Sequence, residues 1–101
     1  MSLKTEGETS PGQIDLDLDP IDGIVLVRVE SGQTDSVRER LKLLPGIRET
    51  VTVGGEFDFI CKTRTSTLDG LGNLVTDGIQ RIDGIRKTTT LVTLGVIDSS
   101  S

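Results

Sequence analysis

The chain of 101 residues contains no histidine, one cysteine and two aromatic residues, Phe57 and Phe59. Each shortage excludes a class of function. Without imidazole the commonest general acid or base is missing, and no carboxylate pair, activated nucleophile, phosphate loop or cluster of metal ligands replaces it. The chain therefore reads as a non-enzyme that needs no cofactor and no metal. Cys61 has no partner for a disulfide and lies in an apolar run, which marks a buried, inert thiol and excludes the Cys-x-x-Cys loop of heavy-metal carriers. Two phenyl rings are too few to stack single-stranded bases. No apolar stretch approaches a membrane span, and the first residues lack the basic start and apolar run of a leader, so a cytoplasmic protein without a membrane partner is expected.

Positive charge is also in short supply. Eleven Lys and Arg against sixteen Asp and Glu leave a net charge of -5 and an isoelectric point near 4.6. The basic residues are scattered rather than gathered into a stripe, which argues against direct contact with nucleic acid. A hydrophobic content of 34% supports one modest core, hence one domain. Small domains bury a smaller share of their surface than large ones, so self-association is expected.

Polar residues dominate both ends. Residues 1–22 read as a flexible polar tail, 23–95 as the folded domain and 96–101 as a disordered end. The alternation from Ile14 to Asp19 also fits an edge strand. Between the tails, Ile24 to Val29 is a short β-branched run and forms a first strand. A helix follows, capped by Thr34 or Asp35 and running to Leu44, with Val37, Leu41 and Leu44 on one face. Pro45-Gly46 stops it. Ile47 to Val53 alternates as a half-buried strand, Gly54-Gly55 supplies a turn, and Glu56 to Thr63 forms a third strand in an antiparallel hairpin. Thr67 opens a second helix with Leu68, Leu71, Val75 and Ile79 on one stripe, weakened by Gly70, Gly72 and Gly78. Asp83-Gly84 ends it before a last strand from Ile85 to Leu94.

The two halves echo each other. Pro45-Gly46-Ile47-Arg48-Glu49-Thr50 after the first helix returns as Asp83-Gly84-Ile85-Arg86-Lys87-Thr88 after the second. With right-handed crossovers, this order gives an α+β, ferredoxin-like βαββαβ fold: a four-stranded antiparallel sheet with both helices on one face. In the first strand Val25, Val27 and Val29 share one face, while Ile24, Leu26 and Arg28 share the other. The helix-free face therefore keeps aliphatic residues, and sheet-to-sheet dimerisation would cover them as a dimeric α-β barrel.

These segments resemble the C-terminal effector-binding domain, or RAM domain, of the Lrp/AsnC transcriptional regulators. The resemblance covers Gly23 to Leu94. It lies in the opening aliphatic strand, Leu44-Pro45-Gly46-Ile47, the hairpin Val53-Gly54-Gly55-Glu56-Phe57-Asp58, and the run from Gly84 to Val92. The Gly-Glu-Phe-Asp hairpin is its most specific part. The resemblance implies face-to-face dimers that assemble further, often into octamers, with a small effector such as an amino acid held between dimers largely by that hairpin. Full-length members contact DNA through a helix-turn-helix domain, where this sequence has a polar tail. It therefore resembles a stand-alone member, expected to bind an effector, to join full-length regulators through the same interfaces, or both.

The candidate ligand-binding residues are Gly54, Gly55, Glu56, Phe57, Asp58, Thr88 and Thr90. Glycine amides can cradle a carboxylate, yet a glycine pair is also ordinary hairpin chemistry. Asp58 can accept a ligand's α-ammonium or the hairpin's own amides, and Glu56 can be a solvated turn charge. Phe57 can wall a pocket or fill an interface. Thr88 and Thr90 match threonines that recur in the family, although threonine suits any strand. A purely structural assembly partner and an ACT-like amino-acid sensor remain as alternatives.

Overall fold

A computed structural model describes residues 20–95. The expectations for residues 1–19, including the edge strand from Ile14 to Asp19, and for residues 96–101 lie outside the described residues. The elements are β1 (Ile21–Val29), α1 (Thr34–Leu41), β2 (Ile47–Thr52), β3 (Phe59–Thr65), α2 (Leu68–Asn73) and β4 (Ile85–Val92). The strands form one sheet in the order β2-β3-β1-β4, with every neighbouring pair antiparallel. This is the expected ferredoxin-like βαββαβ arrangement.

The core lies on the face of β1 that carries Val25, Val27 and Val29, joined by Phe59 and Cys61 from β3. Val37 and Leu41 of α1 cover one half, and Leu71, Val75 and Ile79 cover the other. Phe59 is completely buried, and burying a side chain of this kind contributes roughly 1.5–3 kcal/mol. The Arg38 guanidinium stands 5.8 Å from the centre of its ring, a cation over an aromatic face.

Several boundaries differ from the sequence expectation. β1 starts at Ile21, because Ile21 and Asp22 already pair with Thr65 and Arg64 of β3. Gln33, not Thr34 or Asp35, caps α1, and it does so without a side-chain hydrogen bond. That helix ends at Leu41 rather than Leu44: the amides of Leu43 and Leu44 reach back three residues, to Arg40 and Leu41, the tightened closing turn common at helix ends. β3 begins at Phe59, leaving Glu56, Phe57 and Asp58 in the loop, and β4 ends at Val92 rather than Leu94.

The second helix is not continuous. After Asn73 the chain forms a π-helical turn at Leu74–Gly78 and a 3-10 turn at Ile79–Arg81. Glycines weaken α-helical propensity here, and the Thr76 hydroxyl donates to the Gly72 carbonyl at 3.0 Å, a side-chain bond that competes with the regular ladder. The capping expectation holds: the Thr67 hydroxyl accepts the Gly70 N–H at 2.9 Å. Leu68, however, is 58% exposed, because it sits in the first turn before the buried stripe of Leu71, Val75 and Ile79.

The sequence echo is also a structural one. Gly46 has φ 99° and Gly84 φ 100°, a left-handed conformation in which any side chain would be strained. Each carbonyl accepts an amide from the neighbouring segment: Gly46 from Arg64 of β3 at 2.9 Å, Gly84 from Glu30, just past the end of β1, at 2.7 Å. Ile47 and Ile85 then start their strands and pack against the core.

Candidate functional site

The hairpin between β2 and β3 is fastened to the central strand by three separate bonds. The Val53 N–H donates to the Asp58 carbonyl at 3.0 Å, closing the loop, and the Asp58 N–H donates to the Val27 carbonyl at 2.8 Å. The β1–β3 ladder reaches only as far as Val27 and Phe59, and one step beyond it the Val29 N–H donates to Asp58 Oδ2 at 2.8 Å. The carboxylate thus replaces a missing main-chain acceptor, since a buried amide left without a partner is costly. Arg28 reaches over the loop and donates from Nη1 to the Glu56 carbonyl.

With its base held, the loop tip is open. Gly54 and Gly55 are exposed, and a Cβ built on either would meet nothing within 4 Å. Gly55 has φ 105°, which the turn requires of glycine. Glu56 and Phe57 face a cavity of about 570 Å³ that they share with Arg28, Arg86 and Lys87.

Strand register explains those cations. Arg28 alternates with buried Val27 and Val29, so it projects from the helix-free face. Lys87 is its direct partner across β4 and shares that face. A bulge follows, since Val29 pairs with Ile85 and Arg86 is the extra residue between; bulges of this kind redirect a side chain. Sequence reasoning missed all three cations. The available signal was Arg28, the charged residue in an otherwise aliphatic run.

The same register separates Thr88 and Thr90 from this cavity. They pair with Val27 and Val25, which puts them on the helix side of the sheet. The Thr88 hydroxyl accepts Gln80 Nε2 at 2.8 Å, so its contact is with the 3-10 turn. Within one chain, then, the cavity gathers Glu56 and Phe57, Gly54 and Gly55 stand exposed at the loop tip, Asp58 anchors the loop, and Thr88 and Thr90 lie elsewhere.

A second cavity of about 400 Å³ lies at the other end of the sheet, among Asp22, Ile24, Arg48, Lys62 and Arg64. Its charges are largely matched. Arg64 Nε donates to Asp22 Oδ1 at 2.7 Å, and Lys62 Nζ lies 3.3 Å from Glu49 Oε1. The Arg64 hydrogen bond holds the Asp22 carboxyl below the usual carboxylate range. Among the described residues, no helix is long and apolar enough to cross a membrane.

The fold agrees with the family comparison, in which the model of the Lrp/AsnC ligand binding domain matches residues 22–101. The chain belongs to the Lrp/AsnC family. An uncharacterized HTH-type transcriptional regulator of Pyrococcus horikoshii is 35% identical over 71 residues, spanning 67% of this chain and 47% of that protein. The chain thus spans about half the length of the curated relatives it matches. Among solved structures, FFRP-DM1 is 30% identical with a TM-score of 0.70, covering 73% of this chain and 99% of that one. A feast or famine regulatory protein from M. tuberculosis, solved with L-methionine, shares the fold at 20% identity and a TM-score of 0.66, over 79% of this chain and 54% of that one.

Proposed function

We propose that this Lrp/AsnC ligand-binding domain senses an amino acid through its β2–β3 hairpin and reports it as a change in assembly, acting by binding and not by catalysis. The observation that carries this reading is the division of labour in the hairpin. Asp58 and Arg28 tie the base of the loop to β1, while Glu56 and Phe57 line the cavity and Gly54 and Gly55 stand exposed at the tip. A loop whose base is already fastened to the sheet has less freedom to lose when a ligand binds, which lowers the cost of binding. The amino acid held by the M. tuberculosis fold neighbour supports the ligand class.

Assembly is proposed to use the helix-free face. Ile24, Leu26, Val51 and Ile60 are half-buried there and Leu91 is 50% exposed, an apolar surface that a second copy would cover in a face-to-face dimer, with octamers and full-length Lrp/AsnC regulators as further partners. A ligand changes assembly only through different affinities for the two states. Light scattering after size exclusion, with and without pooled amino acids, followed by thermal shift, tests this. A ligand-dependent mass or melting temperature is expected. A constant oligomer with no thermal response would favour a purely structural assembly partner, the reading to which the Asp58 anchor also lends itself. A monomer under all conditions would sink the sheet-face interface.

A further inference from the structure

The cavity beside the hairpin holds more positive charge than a neutral amino acid would use. Arg28 and Lys87 oppose each other directly across the β1–β4 ladder, and the bulge adds Arg86. Like charges facing one another on a sheet destabilise it. Here they stand together in a chain whose net charge is -5. The ion pairs among the described residues join Arg38 to Asp35, Lys42 to Glu39, Lys62 to Glu49 and Arg64 to Asp22, so none of them neutralises these three cations. Glu56 is the carboxylate lining the cavity, and Asp58 turns Oδ2 to the Val29 amide instead.

We infer that the effector is a dicarboxylic amino acid of the glutamate or aspartate class. This rests on the hairpin being the effector site and adds the chemistry of the ligand's side chain. A neutral amino acid brings one carboxylate and leaves cations uncompensated. A dicarboxylic one brings two, which the Arg86 guanidinium fork, the Lys87 ammonium and the Arg28 N–H groups not engaged by the Glu56 carbonyl suit, since charge-assisted bonds from Arg to carboxylate are strong and geometrically selective. Its α-ammonium has Glu56 as a partner, and Phe57 offers an apolar wall to the methylenes between the charges. The cavity of about 570 Å³ lies in the usual size range of small-molecule sites.

Isothermal titration of the full chain with L-glutamate, L-aspartate, L-glutamine, L-asparagine, L-leucine and succinate tests the inference. One of the two acids is expected to bind roughly tenfold or more tightly than its amide and than succinate. Lys87→Gln and Arg86→Gln should each reduce that preference to about threefold or less, with circular dichroism unchanged. Lys62→Gln, the same loss of charge at the far end of the sheet, should leave it intact. Amides binding as tightly as acids would overturn the dicarboxylic class while leaving the hairpin reading standing. Acid binding that neither Lys87→Gln nor Arg86→Gln weakens would overturn the assignment to this cavity. Succinate binding as tightly as the amino acids would reduce it to a general anion site and overturn it. No binding of any amino acid would bring down both readings and leave these cations to the carboxylates of a protein partner.

Discussion

The side chain of Asp58 and the backbone of Val29, 29 residues apart, meet in a 2.8 Å hydrogen bond from the Val29 N–H to Oδ2. This bond makes Asp58 part of the sheet's scaffold. Asp58→Ala should therefore lower stability by about 1–3 kcal/mol, the usual cost of removing a charged acceptor from a sheltered donor. Asp58→Asn keeps an acceptor oxygen and should lose clearly less. Urea unfolding of both variants checks this, and equal midpoints for Ala and wild type would remove the anchor role.

Gly46 and Gly84 share a backbone conformation but not a neighbourhood. A Cβ on Gly84 would stand 2.9 Å from Gln33 Cβ and 3.1 Å from Val37 Cγ2, whereas on Gly46 the nearest atom is Leu74 Cδ2 at 3.2 Å. Strain at positive φ costs on the order of 1–3 kcal/mol, and crowding a packed core adds a comparable amount. Gly84→Ala should thus have a lower thermal midpoint than Gly46→Ala. The reverse order would contradict the tighter packing of Gly84 against Gln33 and Val37.

Acid stability should carry a small signature of Asp22 and Arg64. Because the Arg64 hydrogen bond lowers the folded Asp22 pKa, the pair stabilises the fold above the unfolded carboxylate value, near pH 4. That contribution is lost as pH falls further, through the folded value. Both side chains are about half exposed, so the effect is modest and shrinks with salt. Arg64→Gln should flatten the acid limb of stability against pH at low ionic strength; identical limbs would show that the pair contributes nothing.

Cys61 is fully buried, and burial pushes its thiol pKa up. A thiol-specific reagent should leave the native protein unmodified and react after denaturation. The linkage has a definite sign: the native state keeps its proton where the unfolded state has lost it, so stability falls as pH rises above the ordinary thiol value. Cys61→Val should remove that alkaline slope, and rapid labelling of the native protein would contradict the buried thiol.

Charge placed on the helix-free face should block self-association without unfolding the chain. Leu91 is 50% exposed, so Leu91→Asp removes no core packing. Together with Ile60→Asp it should shift the mass seen by light scattering to that of a monomer, with secondary structure retained. A variant that stays dimeric would move the interface to another surface.

Local patterns in the sequence determined much of this protein: the alternation of Val25, Val27 and Val29, the Thr67 cap, the Gly54-Gly55 turn, and the repeated Gly-Ile-Arg after each helix. These signals act over a few residues, through pleat, capping and backbone sterics, and so they are visible in one dimension. They sufficed for the order of elements and the ferredoxin-like fold. Where each element ended was less legible, because β1 gains Ile21 and Asp22 only from pairing with Thr65 and Arg64. The candidate site was half legible: Glu56 and Phe57 follow from the hairpin, but their companions come from β1 and β4. Only the tertiary structure decided that Arg28 meets Lys87, that Arg86 is the bulge residue, that Thr88 and Thr90 turn to the helices, and that Asp58 serves Val29. Each of these depends on strand register between distant segments, and a slip of one residue would send every side chain of β4 to the opposite face.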